Sequence, residues 1–339
     1  KDDESVMKEA FFYEKINEKK VRCRLCPHHC VIAEGKNGLC KVRKNSEGRL
    51  YSLVYNTPIA QSIDPIEKKP LFHFYPGSTA FSIATVGCNM HCLHCQNADI
   101  SQSGPHGFPS KEVTAEEIVK NAENSGSKSI AYTYTEPTIY FEYAFDIATL
   151  AQKNGLKNVF VTNGYIETEA IEKIAPVLDA ANIDLKGMTD EFYTKICGAH
   201  LRPVLDAIKT YYDLGIWIEI TTLIIPGHND DTKTLTKIAQ FIADIDTNIP
   251  WHVTGFYPTY KLTDTPPTSV SMLEKAVDIG KKAGLDHIYQ GNRGTGENTF
   301  CPHCGKQLIT RSGFTVSKNL TEKGTCPQCH TAIAGVHLR

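Results

Sequence analysis

Eleven of the twelve cysteines fall into three short clusters, which are the strongest chemical signal in the chain. The clusters comprise Cys23, Cys26, Cys30 and Cys40, then Cys88, Cys92 and Cys95, and finally Cys301, Cys304, Cys326 and Cys329. Disulfide frameworks are typical of short secreted domains, whereas 339 residues can bury a core without cross-links. The tight C-x-x-C spacing therefore predicts metal ligation in a reducing compartment, and we expect a cytoplasmic protein.

The middle cluster supplies three thiolates within eight residues, from Cys88 to Cys95. A four-iron cluster normally takes four cysteine thiolates, so three would leave one iron without a protein ligand. An open coordination position is typical of catalytic metal sites, whereas structural sites are closed. The spacing predicts a [4Fe–4S] cluster whose fourth iron binds a substrate or cosubstrate. The alternative is a zinc site completed by His91 or His94.

The C-terminal cluster consists of two C-P-x-C pairs, at residues 301–304 and 326–329, separated by twenty-one residues. This spacing is close to the template of a zinc ribbon. Four thiolates complete a tetrahedral shell, so we expect structural Zn²⁺ that stabilises a small lobe. A rubredoxin-like iron is the alternative.

The N-terminal cluster has the spacing C-x2-C-x3-C-x9-C and begins at Cys23. Four ligands predict a closed site, and the spacing fits either zinc or an auxiliary [4Fe–4S] cluster that relays electrons. The neighbouring His28 and His29 could replace a ligand, although the four cysteines suffice. The spacing alone does not decide between the two metals.

Stretches rich in β-branched and aromatic residues alternate with helix signals through the middle of the chain. They predict strands at residues 81–85, 129–134, 158–162, 181–185, 217–225, 251–256 and 287–289. The helix signals are two capping boxes and two C-terminal glycines, namely Thr114 with Glu117, Ser271 with Glu274, Gly155 and Gly284. Repeated β-then-α units predict parallel strands, and six or seven units are too few for a closed eight-unit barrel. We expect an α/β fold with a partial (β/α)6 TIM-like barrel.

The positions of the clusters predict three domains. We expect a cysteine-rich metal-binding lobe over residues 1–78, the partial barrel over 79–290 and a zinc ribbon over 291–339. Cys88 follows the first predicted barrel strand, so its cluster lies at the carboxyl end of that strand, where (β/α) barrels place active sites. Lys68, Lys69 and His73 either face a substrate or belong to a solvated basic turn, and we expect the turn.

Composition and charge exclude several classes of protein. The 36 basic and 38 acidic residues give a net charge of −2, so no global electrostatic attraction to nucleic acid is expected. No apolar run approaches the ~18 residues of a membrane helix, and the first ten residues lack the apolar segment of a secretory signal. We therefore expect neither a nucleic-acid nor a membrane partner.

The C-x3-C-x2-C motif after the first barrel strand resembles the cluster motif of the radical S-adenosylmethionine (SAM) superfamily. The resemblance implies that the open iron chelates the amino and carboxylate groups of SAM, and that an external one-electron donor reduces the cluster. It further implies cleavage of SAM to methionine and a 5′-deoxyadenosyl radical, which abstracts hydrogen from a substrate. The residue before the last cysteine is usually aromatic in the superfamily, and here it is His94.

Segments after later strands extend this resemblance to pyruvate formate-lyase activating enzyme. Residues 134–137, Tyr-Thr-Glu-Pro, stand where the superfamily carries a Gly-Gly-Glu motif, which implies that Glu136 accepts hydrogen bonds from the SAM ammonium group. Similar stretches near residues 162–165, 184–187, 225–227 and 250–252 imply a pocket also lined by Thr162, Asn163, Asp184, Lys186 and His252. Lys186 would be available to the SAM carboxylate, whereas Val161 replaces an acidic residue of the activating enzyme.

Over nearly its whole length the chain resembles the radical SAM enzyme of the so-called AmmeMemoRadiSam system. The likeness depends on the motif C-R-L-C-P-H-H-C from Cys23, on residues 64–70 and on the closing cysteine pairs. The substrate of that family is not established. The resemblance thus implies an oxidoreductase-type radical chemistry that acts on an unknown small molecule or protein.

Two other functions fit parts of the sequence. A glycyl-radical activase would act on a protein loop, but such activases usually carry an Asp-Gly-Pro-Gly-type segment where residues 74–78 read FYPGS. A non-catalytic metal scaffold would bind partners through its end lobes, yet it would not need polar residues at successive strand ends. The isolated Cys197 is either a hydrogen-atom donor or a small buried apolar residue, and we expect the second.

Overall fold

The computed structural model describes residues 7–105, 108, 111–292, 296–313 and 315–339. Its N-terminal part forms two antiparallel sheets of three strands each. In chain order these strands are β1 (Lys8–Glu9), β2 (Tyr13–Asn17), β3 (Lys20–Cys23), β4 (Val31–Ala33), β5 (Arg43–Ser46) and β6 (Arg49–Ser52). β2, β3 and β4 form one sheet, and β1, β6 and β5 form the other. The first cysteine cluster lies at the end of β3 and in the loops that follow β3 and β4.

A central sheet of eight strands follows, seven parallel and one antiparallel. Its strands are β7 (Ala60–Pro65), β8 (Thr79–Ala84), β9 (Ser129–Tyr132), β10 (Lys157–Thr162), β11 (Ala180–Asp184), β12 (Trp217–Ile224), β13 (Trp251–Gly255) and β14 (Ile288–Gly291). β8 to β14 lie side by side in chain order, and β7 pairs antiparallel with β8. Within the described residues the order ends at β7 and β14, so the barrel is open.

Helices connect all successive parallel strands. They are α1 (Ala98–Ser101) and α2 (Ala115–Asn124), α3 (Phe141–Lys153), α4 (Thr168–Ile174), α5 (Asp190–Phe192) and α6 (Leu201–Asp213), α7 (Thr232–Ile245) and α8 (Val270–Lys282). Six β/α units with a closing strand β14 therefore confirm the predicted α/β partial barrel. In the described part of the chain, no helix combines the length and apolar character needed to span a membrane.

Of the predicted helix signals, the capping box at Thr114 and the two C-terminal glycines are confirmed, whereas the second capping box is wrong. Thr114 caps α2 through the expected capping box with Glu117, and Gly155 and Gly284 follow α3 and α8 with φ of +78° and +92°. The capping box expected at Ser271 is wrong, because α8 begins earlier and its cap is Ser269, whose hydroxyl accepts a hydrogen bond from the Met272 amide.

Residues 66–75 close the barrel at the amino ends of its strands. The buried Glu219 carboxylate on β12 accepts hydrogen bonds from the backbone amides of Phe72 (2.9 Å) and His73 (2.7 Å). The C-terminal segment contacts the same region, because the Val336 amide donates to the His73 carbonyl at 2.7 Å. The expected solvated turn is therefore wrong for Lys69 and His73, which are 1% and 0% exposed, although Lys68 is solvated.

β7 belongs to the segment that the sequence assigns to the N-terminal lobe, yet it extends the central sheet. Its six residues pair with β8 from Ala60 opposite Ala84 to Pro65 opposite Thr79. In a purely parallel (β/α) arrangement, the backbone N–H and C=O groups along one edge of β8 would be left unpaired. The antiparallel edge strand β7 forms hydrogen bonds with them. The domain boundary at residue 78 stays a prediction.

The C-terminal lobe contains a three-stranded sheet and the third cysteine cluster. Its strands are β15 (Thr299–Phe300), β16 (Gln307–Ser312) and β17 (Thr315–Lys318). The four Sγ atoms of the cluster all lie within 4.8 Å of one another, with 3.5 Å between Cys301 and Cys329 and 3.6 Å between Cys304 and Cys326. Four thiolates bound to one ion at about 2.3 Å would be about 3.8 Å apart, so the group fits a zinc ribbon.

A buried ion pair joins the N-terminal lobe to the barrel. Arg43 on β5 donates two hydrogen bonds to the Glu142 carboxylate on α3, at 2.6 and 3.1 Å, and the two side chains are 2% and 0% exposed. The same carboxylate accepts a hydrogen bond from the Phe11 amide at 2.9 Å. Glu142 thus holds two segments of the lobe against one barrel helix.

We expect the substitution Glu142→Gln to lower the free energy of unfolding by about 3–5 kcal/mol, because it removes the charged carboxylate that pairs with the buried Arg43 guanidinium. Glu191→Gln is the matched control, since its pair with Lys195 is exposed and should contribute little to the free energy of unfolding. Urea denaturation of the metal-loaded protein measures both losses. Equal losses would mean that the buried pair contributes no more than an exposed one.

We expect the substitution Cys326→Ser to remove about one zinc ion per chain and to unfold the C-terminal lobe. Among the described residues, the apolar cluster of this lobe contains four buried residues besides its cysteines, Leu308, Ile309, Ile333 and Leu338, which is too small a core without a metal. Elemental analysis and limited proteolysis measure the two effects. The exposed His303→Ala in the same knuckle should keep the metal, and a loss of zinc there would contradict a four-cysteine site.

Candidate active site

The loop of the middle cysteine cluster follows β8 at the carboxyl edge of the sheet. Its backbone pairs with the segment after α5, since the His91 amide donates to the Cys197 carbonyl at 2.8 Å and the Leu93 amide to the Ile196 carbonyl at 2.9 Å. The Gly87 amide also donates to the Ile100 carbonyl at 2.9 Å. These bonds fix the loop on both sides, so its three cysteines are held by backbone contacts independent of any metal.

Hydrogen-bonding groups contact two of the three thiols of this loop. The Met90 amide donates to Cys88 Sγ at 3.4 Å, and Asn163 Nδ2 lies 3.7 Å from the same sulfur. The Ser101 hydroxyl lies 3.2 Å from Cys95 Sγ. Groups of this kind stabilise the thiolate form that metal coordination requires.

The alternative zinc site with His91 or His94 has no support in this arrangement. Within the described ranges, the third cysteine cluster forms the only group of three or more potential ligands that all lie within 4.8 Å of one another. His91 Nδ1 instead lies 2.7 Å from Gln102 Oε1. His94 is buried beside Lys186, and burial lowers the pKa of its imidazole to about 3.

Glu136 is the centre of a hydrogen-bond network that links the ends of β9 and β10. Its buried Oε1 accepts from the Thr138 amide (3.1 Å), the Thr138 hydroxyl (2.6 Å) and the Thr162 hydroxyl (2.7 Å). Its Oε2 accepts from the Asn163 amide at 2.8 Å. Since the Asn163 side chain also lies against Cys88, the network reaches the cysteine loop.

The charge of Glu136 is not balanced by any cation among the ion pairs of the described residues. Burial raises the pKa of its carboxyl group, and the hydrogen bonds from Asn163, Thr138 and Thr162 oppose this shift. Neutral donors therefore hold the carboxylate in place without neutralising it.

Asp184 and Lys186 lie at the end of β11, on the side of the loop that carries Cys92. Lys186 Nζ lies 2.6 Å from Asp184 Oδ2. Burial lowers the pKa of Lys186, but the charges of Asp184 and Cys92 outweigh burial and raise it well above its usual value. The ammonium group of Lys186 is therefore positively charged, and it lies beside the cysteine loop.

The structure does not bring His252 together with the other predicted cofactor-binding residues. Its Nε2 lies 2.6 Å from Glu219 Oε2, and its ring packs against Phe72 at 4.7 Å and Tyr289 at 5.3 Å between ring centres. These partners belong to the network that closes the amino ends of the strands. The contacts of His252 therefore give no support to a position in the SAM pocket.

Residues 64–70, which the resemblance singled out, form an ionic cluster inside the barrel. The Asp64 carboxylate accepts hydrogen bonds from Lys69 Nζ (2.7 Å), the Ser82 hydroxyl (2.8 Å) and the Tyr134 hydroxyl. Burial opposes ionisation, yet bonds from Lys68, Lys69 and Tyr134 hold the pKa of Asp64 well below its usual range. Burial lowers the pKa of Lys69 to about 8.

Three neighbours of the cysteines were not predicted as site residues. Asn89 accepts a hydrogen bond from Asn163 Nδ2 at 2.9 Å, and Ser101 contacts Cys95. Cys197 is fully buried as expected, but its thiol also donates to Cys92 and lowers the pKa of that thiol. These contacts join residues distant in sequence or of common types, so no local motif could have indicated them.

The chain was compared with protein families and curated proteins. The model of the radical SAM superfamily matches residues 82–239. Uncharacterized protein MJ0808 of Methanocaldococcus jannaschii is 50% identical over 311 residues, which cover 91% of this chain and 92% of that protein. Pyruvate formate-lyase 1-activating enzyme of Escherichia coli is 25% identical over 217 residues, covering 58% of this chain and 87% of that enzyme. None of these matches tests the likeness to the AmmeMemoRadiSam enzyme, which stays a prediction.

Among solved structures, a radical SAM methyltransferase from Sphaerobacter thermophilus matches with a TM-score of 0.51 and 12% identity, covering 84% of this chain and 76% of that one. At this identity the likeness concerns the fold alone. The matched family region, residues 82–239, contains the Cys88–Cys95 loop, Glu136 and Lys186 at the carboxyl edge of the sheet. The chain therefore contains a radical SAM domain over residues 82–239.

Proposed function

We propose that this enzyme binds a [4Fe–4S] cluster through Cys88, Cys92 and Cys95, and SAM beside it. The observation that carries the proposal is the buried Glu136 carboxylate, which is linked through Asn163 to Cys88 and has no cationic partner among the described ion pairs. When bound, the cluster and SAM supply reductive cleavage of SAM to methionine and a 5′-deoxyadenosyl radical that abstracts hydrogen from a substrate.

The residues of the site fit both groups. In the described part of the chain, no three potential ligand atoms of the Cys88–Cys95 loop all lie within 4.8 Å of one another. One tetrahedral ion requires a compact group of ligand atoms, whereas in a four-iron cluster each thiolate binds a different iron and the sulfurs need not approach one another as closely. Three thiolates leave the fourth iron open, as binding of SAM would require.

Glu136 and Lys186 are suited to the two charged groups of SAM. Glu136 Oε1 accepts three hydrogen bonds but Oε2 accepts one, so Oε2 keeps capacity for an ammonium group. Lys186 is cationic and lies beside Cys92, where it can attract a carboxylate. Thr162 and Asn163 position Glu136, and Asp184 positions Lys186.

A second candidate is activation of another protein by hydrogen abstraction from its backbone. The identity to pyruvate formate-lyase 1-activating enzyme, over 58% of this chain, favours this candidate. The chain lacks the Asp-Gly-Pro-Gly-type segment expected of glycyl-radical activases before the cluster. The substrate of the reaction is therefore proposed only as a small molecule or a protein loop that reaches the carboxyl edge of the barrel.

We expect Glu136→Gln to weaken SAM binding about 10- to 100-fold while iron content stays unchanged, because a neutral amide cannot form the charge-assisted hydrogen bond. Anaerobic equilibrium dialysis with SAM measures the affinity. Glu172→Gln, an exposed glutamate on α4, is the control and should bind SAM as the wild type does. An unchanged affinity in Glu136→Gln would remove this residue from the SAM pocket.

We expect the reconstituted wild type to form 5′-deoxyadenosine from SAM and a strong reductant, and Cys92→Ala to form none. Liquid chromatography under anaerobic conditions measures the product, and elemental analysis verifies that Cys92→Ala keeps its zinc. No product from wild type that has bound iron and SAM would contradict the proposal. That outcome would favour the alternative of a non-catalytic metal-binding scaffold.

A further inference from the structure

The four N-terminal cysteines line a small cavity between their lobe and the barrel. A hairpin-like loop brings the first three together, since the Cys23 amide donates to the Cys30 carbonyl at 3.0 Å, and Cys40 lies opposite. The remaining wall is mostly apolar and includes Leu25, Ile32, Leu39 and Ile139. The cavity is therefore shaped by four soft ligands and little other polar surface.

The separation of the sulfurs distinguishes this site from the C-terminal one. Among the residues that the structure describes, no three of Cys23, Cys26, Cys30 and Cys40 have ligand atoms that all lie within 4.8 Å of one another. The C-terminal four meet this condition, with sulfurs 3.5 and 3.6 Å apart. Four thiolates on one zinc ion require such a compact group, whereas four thiolates that each bind a different iron do not.

A buried cation faces the same cavity. Arg43 lines it, and although Nη1 and Nη2 bind Glu142, the Nε atom is buried without a hydrogen-bond partner. A buried donor without a partner costs about 1–3 kcal/mol, so this nitrogen indicates an acceptor that completes the site. A cluster held by four thiolates carries negative charge and sulfide acceptors, both of which match the arginine.

The cavity also contacts the loop of the radical SAM cysteines. Asn89, next to Cys88, is part of its wall, and the Asn89 carbonyl lies 2.7 Å from His28 Nε2. Gly87, with φ of +97°, lies so close to the lobe that a Cβ atom there would be 2.8 Å from the Cys40 carbonyl oxygen. Glycine is therefore required for the close approach of the two cysteine loops.

We propose that Cys23, Cys26, Cys30 and Cys40 bind a second [4Fe–4S] cluster rather than zinc, in contact with the Cys88–Cys95 loop. Its four cysteine ligands leave no iron open, so this cluster exchanges electrons but does not bind SAM. His28, which the sequence left as a substitute ligand, instead joins the two loops through Asn89.

Metal content of the anaerobically reconstituted protein tests this proposal without any activity measurement. We expect about eight irons and one zinc per wild-type chain, from two four-iron clusters and the C-terminal ribbon. The triple variant Cys88→Ala, Cys92→Ala and Cys95→Ala should keep about four irons and one zinc. After reduction with dithionite it should show the electron paramagnetic resonance signal of a [4Fe–4S]⁺ cluster.

Two zinc ions and no iron in the triple variant would overturn the proposal, as would four irons and two zinc ions in the wild type. The double variant Cys26→Ala and Cys30→Ala should lose about four irons and keep one zinc. If that variant does not fold, the wild-type count still decides. A triple variant that keeps its irons while the wild type forms no 5′-deoxyadenosine would support this cluster and contradict the proposed function.

Discussion

The buried carboxylate of Glu136 is the constraint on which the architecture of the site depends. Removing an ion from water costs several kcal/mol unless partners compensate, and here the partners are neutral: two hydroxyls and two backbone amides. They come from the turn after β9 and from the end of β10, so both elements must be in place before the charge can be held. Such a carboxylate lowers stability in the free protein and gains a favourable interaction only when a cation binds, as an ammonium group of SAM would.

The two ends of the barrel have different roles because different parts of the chain cover them. Residues 66–75 and the C-terminal segment around Val336 close the amino ends of the strands, where Glu219 fixes the amides of Phe72 and His73. The N-terminal cysteine lobe instead contacts the loop at the carboxyl ends through Asn89 and Gly87. The ribbon thus contacts the molecule at the end remote from the cysteine loop, which accords with a structural metal. The N-terminal lobe instead lies against that loop.

Most of the fold and part of the site could be predicted because their signals are local. Strand patterns, the Thr114 cap and the C-x3-C-x2-C spacing each depend on residues close in sequence, and the seven parallel strands were found at nearly their observed positions. Burial of Lys69 could not be predicted, because its counter-ion Asp64 and the ring of Tyr134 compensate it only after β7 joins the sheet. The contacts of His252 with Glu219 and of Cys197 with Cys92 likewise join residues far apart in the sequence, and no periodic pattern of residues predicts them.

The three cysteine clusters illustrate why spacing alone does not identify a metal. A C-x-x-C pair places two sulfurs on one turn in every case, but the separation between pairs is set by the elements that carry them. In the C-terminal lobe, Cys301 and Cys329 lie 3.5 Å apart, and Cys304 and Cys326 lie 3.6 Å apart. At the N-terminal lobe, Leu25, Ile32 and Ile139 line a cavity together with the four cysteines, and the unpaired Arg43 Nε points to an anionic occupant. The elements that carry the cysteines therefore set how closely the sulfurs approach, and the scaffold together with the motif selects between one ion and a four-iron cluster.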